Sequence, residues 1–236
     1  MAWRRMERSH WVSWLLLAAA LYLLNLALSF HNVWPTPWIE DRHELSVEIA
    51  LLILGLVLWT ELRGAPGRGL MVVLAIVLTL LAIGRYAEVT APALYGRTVN
   101  LYWDAQHLPK VAAMLVEVAP PWLVAGAALG LMLLLGLVFA LILWALGRVR
   151  LGLSESRPRR VMGAVAGGFA ALYLAGSLGE PLRAPVKYAK PVSQTYAAQT
   201  AFLVDALAHD GAARQLPDSP AVKSDLGMAR GAHVVV

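Results

Sequence analysis

Long apolar runs alternate with short polar connections along the first three quarters of the chain. Each run is close to the roughly 20 residues that a helix needs to cross the hydrocarbon core of a bilayer. The runs cover residues 11–30, 45–62, 70–89, 122–146 and 161–178. This pattern predicts an all-α integral membrane protein, in which residues 1–178 form a bundle of five transmembrane helices.

The connection between the third and fourth runs is long and carries a helical pattern of its own. Val111 and Leu115 lie on the apolar face of a helix that we predict at residues 105–119. Asp104 is predicted as its N-cap, with Pro109 in the opening turns. The pattern is typical of an amphipathic helix on the outer leaflet. A connecting helix buried in the bundle is the alternative.

The chain becomes polar after the fifth run, and its prolines mark a linker over residues 179–228. Within this linker we predict a helix at 192–209. The last residues, 229–236, read ARGAHVVV, and this β-branched run is typical of the opening of a buried strand. Because a lone strand cannot bury both faces, we expect either a frayed tail or further sequence beyond it.

The composition agrees with a bilayer protein and excludes several other classes. Hydrophobic residues make up 59% of the chain and the mean hydropathy is +0.62, so a soluble domain could not cover its apolar surface. Cysteine is absent, which excludes disulfides, thiolate metal sites and a cysteine nucleophile. The net charge of +5 does not predict nucleic-acid binding, because the basic residues lie between apolar runs rather than in a solvated stripe.

The distribution of arginines predicts the orientation in the membrane. Arginines are frequent before the first run and in the connections 63–69 and 147–160, and they are sparse in the alternate connections. Since cytoplasmic loops carry the excess of Lys and Arg, the N-terminus is predicted in the cytoplasm. Five crossings then place the linker on the opposite, extracytoplasmic side.

Polar and aromatic residues concentrate near the outer end of the third run. Arginine can donate two hydrogen bonds to a phosphate, and aromatic rings can flank a headgroup or a sugar, so we predict a substrate- or headgroup-binding site there. Its candidate residues are Arg85, Tyr86, Glu88, Asn100, Tyr102, Trp103 and Asp104. The alternative is an interfacial aromatic belt with Arg85 in an ion pair that closes a helix end. Glu48 is a candidate partner of Arg85 across the bundle.

No catalytic machinery is visible in the sequence. The histidines do not pair with each other or with carboxylates at the spacing of metal ligands. A glycine-rich phosphate loop after a strand, a nucleophile elbow and paired catalytic carboxylates are also missing from the sequence. We therefore assign no catalytic residue, no metal and no cofactor to this chain.

Three stretches together resemble a known group of proteins. They are RYAEVTAPALYGRTVNLYWD at the outer boundary, SQTYAAQTAFLVDAL in the linker helix, and DLGMARGAHVVV at the end. With five spans, they resemble the N-terminal region of bacterial membrane-anchored sulfatase-like proteins of the alkaline phosphatase superfamily. Lipoteichoic acid synthase and the phosphoethanolamine transferases are broadly related to that group.

The resemblance implies a membrane anchor in the bacterial inner membrane, followed by an extracytoplasmic catalytic domain whose first strand would begin in residues 229–236. In such a parent, a metal-activated Ser or Thr transfers or hydrolyses phosphate or sulfate esters. A divalent metal is expected only in that missing domain. The expected partners are membrane lipids, a lipid-linked substrate and the missing domain. The alternative is a complete non-enzymatic scaffold or assembly subunit that holds a larger protein complex.

Overall fold

The computed structural model describes residues 2–178 and 187–209. These residues form seven helices and one two-stranded hairpin, so the prediction of a mainly helical protein is confirmed. In chain order the elements are α1 (Ala2–Ser29), β1 (His31–Asn32), β2 (Ile39–Glu40), α2 (Val47–Arg63), α3 (Arg68–Tyr95), α4 (Leu101–Val118), α5 (Pro121–Ser154), α6 (Ser156–Leu178) and α7 (Val192–His209).

Three of the helices are long and apolar enough to cross a membrane, and they indicate a membrane protein. They are residues Trp11–Ser29 of α1, the whole of α3 and the whole of α5. The second and fifth predicted spans also form helices, α2 and α6. However, α2 has only 17 residues, and α6 opens on the polar sequence SRPRR. Five crossings therefore stay a prediction.

Two sets of helices share one apolar core. Helix α1 packs against α3 and α5, and α2 packs chiefly against α6. Leu24 of α1, Ala75 of α3 and Leu146 of α5 are fully buried between the helices. Gly163 of α6 permits the close approach to α2, because a Cβ placed there would lie 3.2 Å from Val57 Cγ1. Small residues at helix interfaces are a common way for membrane helices to pack closely.

The bundle has two chemically different ends. At one of them, Arg159 Nε lies 2.7 Å from Glu61 Oε1, and Arg150 Nε donates to the carbonyl of Pro66 at 2.7 Å. These contacts bring the arginine-rich connections 63–68 and 148–160 together, and we call this the basic end. The other end carries the β1–β2 hairpin, and we call it the hairpin end. Which side of the membrane each end faces stays a prediction.

Helix α4 differs from its prediction at its start. It begins at Leu101, its N-cap is Asn100, and Pro109 lies in its third turn. The predicted cap Asp104 is therefore wrong, because the amide oxygen of Asn100 already accepts the hydrogen bond of the Trp103 amide. Its place on the outer leaflet stays a prediction.

Helix α7 has the predicted bounds. The predicted strand at 229–236 lies outside the described residues.

Candidate functional site

Arg85 of α3 is buried at the hairpin end of the bundle, with 2% of its surface exposed. Its Nε donates to the carbonyl oxygen of Phe30 at 2.9 Å, and its Nη1 lies 3.5 Å from the carbonyl oxygen of Lys190. The Phe30 carbonyl follows the last turn of α1, where helices present unpaired acceptors and a partial negative charge. Arg85 therefore ties the end of α1 to the segment that precedes α7.

Two carboxylates neighbour this guanidinium. Glu88, one turn further along α3, places Oε2 3.8 Å from Arg85 Nη1. Glu44 does not contact Arg85 directly; its Oε2 lies 2.7 Å from His31 Nε2, which in turn lies 3.4 Å from Arg85 Nη2. Because one ring nitrogen cannot donate to Glu44 and accept from Arg85 at once, the shorter contact to Glu44 takes the proton. His31 Nε2 therefore donates to Glu44 and does not accept from Arg85.

Glu88 also holds the start of α7. Its Oε1 accepts hydrogen bonds from Lys190 Nζ and from Thr195 Oγ1, both at 2.8 Å. The Glu88 side chain is only 14% exposed, whereas that of Lys190 is 63% exposed. A carboxylate shielded in this way between a guanidinium, an ammonium and a hydroxyl has its charge compensated on several sides.

Glu48 of α2 contacts the same helix start. Its Oε1 accepts from the backbone amide of Ser193 at 2.9 Å and from the Ser193 hydroxyl at 3.2 Å. The first amides of a helix have no partner within the helix and carry a partial positive charge, so a carboxylate stabilises them. No ion pair joins Glu48 to Arg85 in the described parts of the chain. The predicted partners instead share a third element, the start of α7.

Backbone hydrogen bonds fix the segment before α7. The amide of Leu45 donates to the carbonyl of Lys187 at 2.9 Å, and the amide of Ala189 donates to the carbonyl of Leu45 at 3.0 Å. Tyr188 lies between these bonds, and its hydroxyl donates to the carbonyl of Phe169 at 2.9 Å. Burial raises the pKa of the Tyr188 phenol above its ordinary value. The 187–189 segment is therefore held by α6 as well as by the loop before α2.

We call the group formed by these side chains the docking cluster. It consists of Arg85, Glu88, Glu48, Lys190, Ser193 and Thr195. Three of its members come from the membrane bundle and three from the segment at the start of α7. Within it, Glu88 Oε1 accepts two hydrogen bonds, whereas Glu88 Oε2 is buried without a hydrogen-bond partner and has only the ion pair with Arg85 at 3.8 Å.

A second polar group lies at the turn between α3 and α4. Both Nη atoms of Arg97 donate to the carboxylate of Asp104, at 2.6 and 3.2 Å. Asp104 Oδ2 also accepts from the backbone amide of Asn100 at 2.8 Å, while the Asn100 side chain accepts from the amide of Trp103. This reciprocal arrangement resembles a capping box. It fixes the start of α4 rather than presenting a free arginine.

The predicted site residues therefore fall into two groups. Arg85 and Glu88 belong to the docking cluster, whereas Asn100 and Asp104 form the cap of α4, and no hydrogen bond or ion pair between described residues joins the two groups. The remaining three are aromatic. Tyr86 donates to the carbonyl of Pro37 at 3.1 Å, and the rings of Tyr102 and Trp103 meet edge to face with centroids 4.9 Å apart.

Sequence reasoning missed the contributions of His31, Glu44, Ser193 and Thr195. None of these residues stands out in a local pattern, because each acts through a contact with a distant part of the chain. The one local signal was Pro191 directly before Val192, since a proline near a helix start marks where the helix begins. Pro191 lies at the end of α7 that the bundle contacts, although the sequence analysis used it only as a mark of the linker.

The acid response of the α4 cap tests this geometry. The hydrogen bonds from the Arg97 guanidinium, and to a smaller extent that from the backbone N–H of Asn100, hold the pKa of Asp104 below its usual value of about 3.9. A carboxyl group with a lowered pKa in the folded state stabilises that state above its unfolded pKa, and the stabilisation is lost as the pH falls through the folded pKa. We therefore expect hydrogen exchange of the Trp103 amide, corrected for intrinsic rates, to accelerate as the pH falls below about 4.

The matched controls for this experiment lie on the same helix. In Asp104→Asn the exchange is expected to be fast already at neutral pH and to show no further acid step. In Glu117→Gln, which changes an exposed carboxylate at the other end of α4, the acid step should be the same as in the wild type. An acid step that persists in Asp104→Asn would assign the effect to another group.

The site contains a guanidinium, carboxylates, an ammonium, hydroxyls and backbone groups. Within residues 2–178 and 187–209, no group of three or more His, Cys, Asp or Glu side chains is placed to hold a metal ion.

Comparison of the chain with protein-family models, curated proteins and solved structures finds no match.

Proposed function

We propose that the chain is the membrane anchor of a sulfatase-like enzyme that transfers or hydrolyses phosphate or sulfate esters at the outer face of a bacterial inner membrane. In this proposal the bundle holds the catalytic domain, and α7 is the rigid stalk between them. The observation that carries it is the docking cluster. It fastens the start of α7 to the bundle through charges and backbone groups drawn from α2, α3 and the end of α1.

The docking cluster supports a stalk because it fixes both position and direction. A flexible tether would need no specific contact with the bundle, and its end would sample many heights above the membrane. Here Glu48 and Glu88 hold the first turn of α7, and Tyr196 in its second turn donates to the carbonyl of Leu80 at 2.7 Å. Further along, Gln199 Nε2 donates to the carbonyl of Val99 at 2.9 Å. These contacts define the path of the chain where it leaves the bundle.

We further propose that the aromatic pair Tyr102 and Trp103, beside the α4 cap, contacts the headgroup of a lipid-linked substrate. Trp103 is 54% exposed and meets Tyr102 edge to face. Aromatic residues of this kind favour the boundary between lipid and water, where such a headgroup lies. Asn100 and Asp104 hold the turn beneath the pair, so they would position the aromatic rings rather than bind the substrate through free charges.

Cysteine labelling tests the five crossings on which the proposal rests. Because the chain contains no cysteine, single substitutions can be labelled without background. In intact cells we expect a membrane-impermeant maleimide to label Trp34→Cys, Thr98→Cys and Lys187→Cys. Ala65→Cys and Glu155→Cys are expected to react only after the membrane is opened. Labelling of Trp34→Cys and Ala65→Cys from the same side would show that α2 does not cross, and would contradict the proposal.

Two further observations separate the enzyme anchor from a complete scaffold protein. A reporter that is active only outside the cytoplasm, fused after Val236, should be active if the stalk is extracytoplasmic. The coding sequence beyond Val236 should continue the apolar strand into an acidic residue followed by Ser or Thr. A stop codon at that point, together with copurification of a larger complex, would favour the scaffold and contradict the enzyme anchor.

A further inference from the structure

The basic end carries far more arginines than acidic side chains. Residues 61–68 and 148–160 together contain seven arginines and two glutamates. Arg159 Nε lies 2.7 Å from Glu61 Oε1, and this is the one ion pair that the described residues form at this end. These two segments therefore keep an excess of five positive charges.

The hairpin end differs, because each of its described arginines has a carboxylate close by. Arg42 and Arg97 each lie 2.6 Å from a carboxylate oxygen, and the buried Arg85 has one at 3.8 Å. Arginines can therefore pair with carboxylates inside this protein, and at the hairpin end they do so. The positive charge without a described counterpart lies at the basic end.

Four exposed arginines carry this excess. They are Arg63, Arg68, Arg157 and Arg160. Arg160 Nε donates to the carbonyl of Ser156 at 3.3 Å, which does not compensate its charge. None of the four forms an ion pair with a carboxylate in the described parts of the chain. An anion that neutralises them has to come from elsewhere.

Arg63 is held by a tryptophan one turn earlier on α2. Its Cζ lies 5.0 Å from the ring centre of Trp59, which is within the range of a cation–π contact. Arg63 forms no hydrogen bond with another described residue, so its N–H donors stay available for the oxygens of a phosphate. Tryptophan favours the boundary between hydrocarbon and water, and lipid phosphates lie at that boundary. The contact therefore places a guanidinium where such a phosphate is found.

The apolar surroundings of Arg63 distinguish a lipid from other anions. Leu58 and Leu62 of α2 are 54% and 83% exposed, and Trp59 between them is 40% exposed. A nucleic acid or a free phosphate would compensate the arginines and leave these apolar side chains in water. A phospholipid with a negatively charged headgroup covers both, because its acyl chains and its phosphate belong to one molecule.

We propose that the basic end binds a bilayer phospholipid whose headgroup carries a net negative charge, with the phosphate at Arg63 and the acyl chains along the exposed apolar side chains of α2. Arg68, Arg157 and Arg160 add to the attraction, since each basic residue near an anionic lipid surface raises the affinity about fivefold. The inference concerns the opposite end from the docking cluster. It depends neither on the proposed enzyme anchor nor on which side of the membrane this end faces.

Lipid retention by the full chain tests the selectivity. The protein is prepared in mixed micelles with equal amounts of phosphatidylglycerol and phosphatidylcholine that have the same acyl chains, and native mass spectrometry counts the lipids that stay bound. The anionic phosphatidylglycerol is expected to be retained at least about fivefold over the zwitterionic phosphatidylcholine. Equal retention of the two lipids would overturn the proposal.

Two arginines at opposite ends provide matched variants with the same change of net charge. Arg63→Gln is expected to lower the preference for phosphatidylglycerol about fivefold. Arg42→Gln removes an exposed arginine of the hairpin end that is paired with Glu40, and it should leave the preference unchanged. Equal effects of the two variants would mean that only the net charge of the chain matters, and would contradict the site.

The tryptophan contact has its own pair of variants. Trp59→Leu keeps every charge and removes the ring beside Arg63, so the preference is expected to fall about two- to fivefold, the worth of an exposed cation–π contact. Trp38→Leu changes an exposed tryptophan of the hairpin end and should have no effect. A preference that is as large in Trp59→Leu as in the wild type rejects the placement of the phosphate at Arg63.

Inorganic phosphate separates a lipid site from a site for any soluble anion. Added in excess at constant ionic strength, it should not displace phosphatidylglycerol, because it cannot cover the apolar side chains beside Arg63. Displacement of the lipid by inorganic phosphate would assign the arginines to a soluble anion and contradict the proposal.

Discussion

Replacing Arg85 with methionine is expected to lower the free energy of unfolding by about 3–5 kcal/mol, the cost of breaking a buried charge pair from one side. Methionine fills much of the arginine volume, but it leaves the carbonyl of Phe30 without its donor and Glu88 Oε2 without its nearest positive charge. Denaturant unfolding in detergent micelles measures the change. Hydrogen exchange of the Ser193 amide, which donates to Glu48, is expected to rise because the start of α7 loosens.

The controls separate this effect from a general loss of an arginine. Arg68→Met changes an exposed arginine at the opposite end of the same helix and should leave stability and exchange close to the wild type. In Arg85→Met with Glu88→Gln, part of the stability should return, because the uncompensated carboxylate is gone. If Arg85→Met has the same free energy of unfolding as the wild type, and the Ser193 amide stays protected from hydrogen exchange, the docking cluster does not hold the stalk.

Replacing Gly84 with alanine is expected to release α7 even though it adds only one methyl group. A Cβ at Gly84 would lie 2.5 Å from the hydroxyl oxygen and 2.7 Å from Cζ of Tyr196, so the ring must move. Moving it breaks the hydrogen bond from the Tyr196 hydroxyl to the carbonyl of Leu80. Overpacking of this kind costs typically about 1–3 kcal/mol. Unfolding in micelles and protease cleavage near residues 187–191 measure the result.

The sign of the Gly84 effect makes the test specific. A glycine inside a helix is usually less stable than alanine by roughly 0.5–1 kcal/mol, so an unobstructed Gly→Ala change should stabilise. Gly55 of α2 has no atom within 4 Å of a placed Cβ, and Gly55→Ala is the matched control. Adding Tyr196→Ala to Gly84→Ala should remove the clash and leave the double variant more stable than the sum of the single effects predicts. Strictly additive effects would show that the ring and the glycine do not meet.

Sequence patterns located the helices better than the contacts of the site. The bounds of α7 agree with the prediction, because its apolar positions recur at helical spacing and Pro191 precedes it. The start of α4 was misplaced, because Asn100 and Asp104 are both good capping residues and their spacing alone does not say which one caps. In the structure the Asp104 carboxylate accepts hydrogen bonds from Arg97 and from the backbone N–H of Asn100. The side-chain oxygen of Asn100 caps the helix instead.

For the candidate site, too, the sequence identified a residue but not its contacts. The sequence singled out Arg85 because a charge near membrane depth is costly and rarely without a role. It did not reveal that the groups around Arg85 come from residues as distant in the chain as Phe30 and Lys190. Those partners are ordinary residues in their own segments, so no local pattern marks them.

By itself the sequence determined that the protein is mainly helical and that several of its helices are apolar enough to cross a membrane. These properties follow from residue chemistry and spacing, which act within a few turns of a helix. Only the tertiary structure decided that α7 is held by Arg85, Glu48 and Glu88, and that the arginines of the two ends differ in their pairing with carboxylates. Such features depend on which helix faces meet, and that choice is made by packing of the whole bundle rather than by any one segment.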